Sequence, residues 1–198
     1  MTQEAIPNPV DPFNKASSHV KTVLAGVKQE QLNAPTPCSE WEVKELINHL
    51  ISGAENAQAA LTGHPEQIYL GTSESSYASE GNITRLSAGY DLRVSEAMQA
   101  AASPGAMEFT VPGPAGEMTS GQFLAATFMD QLIHTWDLAK ATGQDTRLDP
   151  ELTKICFQMC VPGLADMGRN LGVIGPVVSV PDDASTQDKL MGYMGRHP

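Results

Sequence analysis

Positive charge is scarce in this sequence. Its 198 residues include 12 lysines and arginines against 23 aspartates and glutamates, and the formal net charge is −11 at pH 7. Proteins that bind nucleic acids or anionic membranes neutralise phosphate groups with clustered basic side chains. We therefore expect neither a nucleic acid nor a membrane surface among the partners.

Long apolar runs and leader signals are also missing. No stretch approaches the roughly 20 apolar residues that cross a bilayer. The first residues carry Pro7, Pro9 and Pro12 where a signal peptide has a basic segment followed by an apolar one. We expect no transmembrane helix and no secretory signal.

Cysteine is rare, and its spacing is uninformative. Cys38, Cys156 and Cys160 are an odd number, and they show neither a disulfide framework nor a paired zinc motif. Glycine-rich phosphate loops and nucleophile elbows are absent as well. These absences predict a reducing, cytoplasmic location and give no support to nucleotide-binding or serine-hydrolase chemistry.

The residues that are present predict an all-α domain. Apolar residues make up 41% of the chain and charged residues 18%, which is typical of one globular domain. We place that domain at 11–198, after a proline-rich lead at 1–10. Helical spacing of apolar residues predicts a four-helix bundle. Residues 103–121 are expected to form either a short β-hairpin insertion or an irregular loop, and the tail from residue 172 is expected to be irregular. The helical patterns cover residues 11–32, 41–61, 84–102, 122–143 and 150–171.

Capping and breaking residues set the expected helix ends. Ser39 and Glu42 form a capping-box pattern that predicts a helix starting near Trp41. Thr119 or Ser120 can cap the helix that Gly143 stops. Pro162 is expected to kink or split the last helix.

Polar residues interrupt two of the apolar stripes. His49 lies among Leu46, Leu50 and Ile51, and Asp130 and His134 are four residues apart, so they share one helix face. Two imidazoles and one carboxylate are typical of a catalytic metal site with open positions. The alternative is an ordinary ion pair on a solvated face, together with a histidine satisfied in the core.

Several nearby residues allow more than one interpretation. Asp137 is a further ligand, an acceptor that orients an imidazole from outside the ligand set, or a partner of Lys140. Cys38 is a small buried hydrophobe or, beside a helix N-terminus, a reactive thiolate. The two tryptophans, Trp41 and Trp136, are core residues or pocket walls. The remaining histidines are expected to be solvated; they are His19, His64 and His197.

Three segments carry recognisable motifs. They are PTPCSEWEVKELINHL, FMDQLIHTWDLAKATGQ with its HxWDLAxATG string, and PDDASTQDKLMGYMGRHP with its GRxP ending. Together, and in this order, they resemble an actinobacterial family of DinB-like proteins related to the metal-binding domain of mycothiol-dependent maleylpyruvate isomerase. The resemblance spans the chain from about Asp11 to Pro198.

The resemblance implies a DinB-type four-helix bundle that holds a divalent metal, commonly zinc or nickel. The matching positions are His49, Asp130 and His134, with Asp137 orienting a ligand from outside the set. Asp130 stands where the isomerase has glutamate, and the separate C-terminal domain of that enzyme has no counterpart in this sequence. The implied chemistry is activation of a small thiol such as mycothiol, as co-substrate, for attack on a small electrophile.

Three functions remain open from the sequence. The first is a metal-dependent thiol transferase or isomerase. The second is a metal-binding or small-molecule-binding module without catalysis. The third is a structural or interaction bundle without metal, in which the apolar stripes pack a homodimer.

Overall fold

The helices form where the apolar stripes predict them. The computed structural model describes residues 8–70 and 75–198, so most of the proline-rich lead and part of the connection at 62–82 lie outside the described residues. Up to Asp145 the chain forms one compact unit, and from Thr146 onward it forms a second. The elements of the first unit are α1 (Val10–Gly26), α2 (Val43–Leu61), α3 (Ile83–Ala101), β1 (Thr110–Gly113), β2 (Gly116–Thr119) and α4 (Ser120–Thr142).

The four long helices of the first unit pack as a bundle. Helix α1 packs against α3 and α4, and α2 packs against the same two helices. The stripe predicted for α2 faces the interior, with Leu46, Leu50 and Ile51 completely buried. The predicted all-α bundle is therefore confirmed.

Helix α1 ends earlier than the apolar spacing predicts. It stops at Gly26 rather than at Leu32, and Val27 adopts an extended conformation. The Gln144 side chain donates a hydrogen bond to the Val23 carbonyl at 2.9 Å, and this occupies an acceptor of the last turn. Gly26 leaves room for that side chain, since a Cβ there would collide with it. A residue distant in sequence thus decides where α1 ends.

The capping box predicted at Ser39 and Glu42 is wrong in register. Helix α2 begins at Val43, and the Glu42 backbone N–H donates to the Glu45 carboxylate at 2.6 Å. The preceding residues are already organised as a loop. The helix therefore starts at Val43, later in the chain than the start predicted near Trp41.

The hairpin and the start of α4 follow the predicted chemistry. Strands β1 and β2 pair antiparallel with Gly113 opposite Gly116, so the hairpin alternative is confirmed. Strand β2 leads directly into α4, where the Thr119 hydroxyl accepts from Gln122 N–H at 3.1 Å. Helix α4 ends at Gly143, which has a left-handed φ of 69°.

The second unit contains the helix that proline was expected to break. Helix α5 spans Pro150–Met159, a π-helical turn follows at Cys160–Leu164, and α6 spans Ala165–Asn170. Val161, directly before Pro162, is non-helical, because proline disfavours helical geometry in the residue before it. The tail is less irregular than predicted, since α7 forms at Thr186–Tyr193 with Ser185 as its cap.

The part of the chain that the structure describes contains no helix that could span a membrane. None of the helices there combines the length and the hydropathy that a bilayer span needs.

Candidate metal centre

Helices α2 and α4 bring the three predicted ligands together. His49 projects from α2, and Asp130 and His134 project from one face of α4. His49 Nε2 lies 3.0 Å from Asp130 Oδ2, and His134 Nε2 lies 3.3 Å from Asp130 Oδ1. One carboxylate therefore faces two imidazoles through its two separate oxygens.

The spacing of these atoms suits a small divalent cation. One ligand atom from each residue can be chosen so that all three lie within 4.8 Å of one another. Nitrogen and oxygen ligands sit about 2.0–2.1 Å from zinc, so neighbouring ligand atoms of a tetrahedral site are about 3.3 Å apart. The His134–Asp130 separation of 3.3 Å matches that value, and the His49–Asp130 contact of 3.0 Å, to the other carboxylate oxygen, is a hydrogen-bond distance that would open by a few tenths of an ångström around an ion. The residues present fit the metal that the family resemblance implies.

The electrostatics of the site favour charged partners. Partial burial alone would raise the pKa of the Asp130 carboxyl, but the attraction of His49 and His134 outweighs it and holds that pKa well below its usual range. Burial would likewise lower the pKa of His134, and Asp130 together with hydrogen bonds to Asp137 and Cys38 raises it well above the usual value. The site therefore concentrates negative charge around His134, which is suited to a cation.

The far side of His134 carries a second carboxylate. His134 Nδ1–H donates to Asp137 Oδ2 at 2.9 Å, and the Asp137 side chain is completely buried. A carboxylate in this position can orient the imidazole, which is one of the roles that the sequence left open for Asp137. Lys140, the alternative partner considered for Asp137, places its Nζ 5.1 Å from the centre of the Trp136 ring.

Cys38 also approaches the Nδ1 side of His134. Its Sγ lies 3.8 Å from His134 Nδ1 and 3.4 Å from Asp137 Oδ2. A Cys-His-Asp nucleophilic triad places thiol and carboxylate on opposite ring nitrogens. Here both groups meet the same nitrogen, so the arrangement is not a nucleophilic triad.

A loop at residues 35–42, the Thr36 loop, holds Cys38 and Trp41 against the site. The Thr36 hydroxyl lies 3.0 Å from the Cys38 carbonyl and 2.8 Å from the Trp41 carbonyl, and it accepts from Cys38 N–H at 3.1 Å. Trp41 packs on both imidazoles, with ring centres 4.5 Å from His49 and 5.5 Å from His134. Cys38 thus lies in this loop and not at a helix N-terminus.

The other aromatic and imidazole side chains lie elsewhere. Trp136 is 2% exposed and belongs to the core, whereas Trp41 forms a wall of the site. His64 and His197 are exposed, as predicted, and His19 is half-buried. None of these three histidines belongs to a ligand cluster within the described residues.

Sequence reasoning missed how the Thr36 loop joins the site. The Cys-x-x-Trp spacing in the loop before α2 was the available signal, because a short loop places both side chains at the same helix end. It also missed the polar interior behind Asp130, where buried Gln131 accepts from the Ser17 hydroxyl at 2.9 Å. Nothing in the local pattern distinguishes Gln131 from a solvent-facing residue of α4.

Comparison with known families identifies the class to which this fold and site belong. The family model for the mycothiol maleylpyruvate isomerase N-terminal domain matches residues 13–139. The chain therefore belongs to this family. The match includes His49, Asp130, His134 and Asp137 and ends before the second compact unit.

Two similar proteins come from Mycobacterium tuberculosis. The uncharacterized protein Rv0738 of strain H37Rv and the uncharacterized protein MT0763 of strain CDC 1551 are each 34% identical to this chain over 145 residues. Each alignment covers 73% of this chain and 73% of the relative.

Solved structures show the same fold. The crystal structure of the mycothiol-dependent maleylpyruvate isomerase superposes with a TM-score of 0.54 at 16% sequence identity, and that of a histidine-to-alanine mutant of it with a TM-score of 0.52 at the same identity. Both matches cover 68% of this chain and 60% of the isomerase chain. At this identity the likeness defines the fold, and this chain spans less than two thirds of those structures.

Proposed function

We propose that His49, Asp130 and His134 hold a divalent cation of the zinc or nickel type. The protein would use it to make a small thiol of the mycothiol type react with a small electrophile. The observation that carries the proposal is the Asp130 carboxylate, whose two oxygens face the Nε2 atoms of His49 and His134 at 3.0 and 3.3 Å. Membership of the mycothiol maleylpyruvate isomerase N-terminal domain family supports a thiol as the partner.

Each residue has a separate task in this proposal. Asp130 supplies negative charge between the two imidazoles. Asp137 accepts the Nδ1–H of His134, which fixes the ring tautomer and turns the Nε2 lone pair toward Asp130. Trp41 packs against both imidazoles and covers part of their surface.

A bound divalent cation supplies Lewis acidity and lowers the pKa of a thiol that shares its coordination sphere. The thiol releases its proton to water, and its sulfur forms a bond to an electrophilic carbon. In a transferase reaction the leaving group departs with the bonding electron pair. In an isomerase reaction the π electron pair of the attacked carbon–carbon double bond moves onto a conjugated carbonyl oxygen. After rotation about the resulting single bond the pair returns to reform the double bond, the carbon–sulfur bond breaks with its electrons on sulfur, and the thiolate takes a proton back from water.

Metal content is the first test. Untagged protein purified without chelator should contain close to one equivalent of zinc or nickel by elemental analysis. His49→Ala and His134→Ala should each lose it at equal folded concentration. His64→Ala is the matched control, because it removes an exposed histidine that lies 3.1 Å from Glu66. No metal in the wild type, even after incubation with zinc or nickel, would overturn the proposal and favour the structural bundle.

Thiol turnover is the second test. Metal-loaded protein should accelerate the mycothiol-dependent conversion of small electrophiles, whether or not mycothiol is consumed, and the His49→Ala variant should not. Stoichiometric metal without thiol-dependent turnover across a broad electrophile panel would favour the non-catalytic metal-binding module.

A further inference from the structure

His134 faces a second set of ligand-type atoms through its other nitrogen. Its Nδ1 lies 2.9 Å from Asp137 Oδ2 and 3.8 Å from Cys38 Sγ, and the sulfur lies 3.4 Å from the same carboxylate oxygen. We propose that Cys38, His134 and Asp137 form a second cation site, which takes a strongly thiophilic divalent ion such as cadmium and competes with the site at His49.

The three separations support this assignment. Zinc binds thiolate sulfur at about 2.3 Å and imidazole nitrogen at about 2.0–2.1 Å, so tetrahedral neighbours lie about 3.5 Å apart when one is sulfur. The two sulfur separations, 3.4 and 3.8 Å, lie on either side of that value. The nitrogen–oxygen separation of 2.9 Å is that of a hydrogen bond and would open by a few tenths of an ångström around an ion.

Charge and burial support it as well. The Asp137 side chain is completely buried, and the His134 side chain is 9% exposed. A thiolate and a carboxylate together carry the two negative charges that neutralise a divalent ion, which reduces the cost of burying them. Cys38 is only half-buried, so it lies on the side from which an ion can enter.

The two sites exclude each other through the tautomer of His134. A neutral imidazole has one nitrogen with a free lone pair and one that carries a proton. An ion on the Nε2 side leaves Nδ1–H to donate to Asp137, and an ion on the Nδ1 side leaves Nε2–H to donate to Asp130 at 3.3 Å. Both acceptors are in place.

Ligand softness then decides which site is filled. Nickel suits the set with two imidazoles and one carboxylate, whereas cadmium prefers the set that contains sulfur. Cadmium should therefore displace nickel from the protein without using His49.

Cadmium binding to the full-length protein tests the inference. A thiolate ligand gives cadmium a charge-transfer absorption in the ultraviolet, which binding to nitrogen and oxygen alone does not produce. The wild type and His49→Ala should both show this absorption, and Cys38→Ser should lose it. The loss of affinity in Cys38→Ser should exceed the roughly 10- to 100-fold that removal of an outer partner costs.

The buried pair Cys156 and Cys160 needs a matched control, since their sulfur atoms lie 3.6 Å apart. The double variant Cys156→Ala/Cys160→Ala should keep the absorption, and the single variant Cys156→Ala breaks the pair if the double variant does not fold. Absorption that survives Cys38→Ser, or that disappears with the buried pair, would overturn the inference. The expected cadmium absorption does not require His49. The outcome of the cadmium experiment is therefore independent of whether the proposed thiol chemistry holds.

Discussion

The two helices that contribute to the candidate metal centre prepare their histidines to different degrees. On α4, His134 is 9% exposed and has a carboxylate at each ring nitrogen, Asp137 at Nδ1 and Asp130 at Nε2. On α2, the His49 side chain is 22% exposed, and its buried Nδ1 has no hydrogen-bond partner among the described residues. The α4 imidazole is thus held at both ring nitrogens, whereas the α2 imidazole has a polar partner at Nε2 only among the described residues.

The starts of the same two helices both carry a capping box, but only the box of α4 lies where the sequence predicts it. Helix α4 starts from a side-chain cap, in which the Thr119 hydroxyl accepts from Gln122 N–H and the Gln122 side chain accepts from Thr119 N–H at 2.9 Å. Helix α2 starts after the Thr36 loop with a capping box of Glu42 and Glu45, and the serine that the sequence suggested as its cap lies outside the helix. The difference lets mutations on the two sides be compared directly.

The largest expected difference is between His134→Ala and His49→Ala in metal-free protein. His134→Ala removes the imidazole from a completely buried Asp137, and breaking such a buried pair costs about 3 kcal/mol of the free energy of unfolding. His49→Ala breaks a half-exposed contact with Asp130 and should cost less than about 1 kcal/mol. Urea denaturation after chelator treatment measures both.

His64→Ala serves as the surface control for that comparison. Equal losses of stability in His134→Ala and His49→Ala would contradict the proposed difference between the two sides.

The next effect concerns the outer partner of His134. Asp137→Asn should lower zinc affinity by roughly 10- to 100-fold, because the amide no longer fixes the imidazole as a carboxylate does. Titration calorimetry at constant pH measures the change. Asp91→Asn is the matched control, since Asp91 pairs with Lys21 on the surface at 3.2 Å. Unchanged affinity in Asp137→Asn would show that Asp137 does not orient His134 for metal binding.

The smallest effects concern the helix starts. Thr119→Ala should destabilise the protein by about 1 kcal/mol, because it removes the cap of α4. Ser39→Ala should change stability by less than about 0.5 kcal/mol, because its hydroxyl caps no helix in the structure. Thermal denaturation of the two variants side by side checks this, and a larger loss for Ser39→Ala would restore the capping box predicted there.

The sequence was informative at most positions where the controlling interaction is local, although the local capping box predicted at Ser39 and Glu42 was wrong in register. The apolar stripe of α2, the Thr119 cap, the stop at Gly143 and the break at Pro162 all act within a few residues, and each of these predictions is confirmed. The end of α1 was missed because Gln144, far along the chain, takes the Val23 carbonyl. Short-range patterns carry no information about such a contact.

The candidate site divides in the same way. Asp130 and His134 are four residues apart on a helix, so the sequence alone determined that they share a face, and it named His49 as the partner to expect. Only the tertiary structure decided that the His49 imidazole reaches the Asp130 carboxylate and that the Thr36 loop carries Cys38 to Asp137. The physical reason is that helical geometry fixes distances within one helix, whereas the packing of α2 against α4 and the hydrogen bonds of the loop fix distances between separate segments.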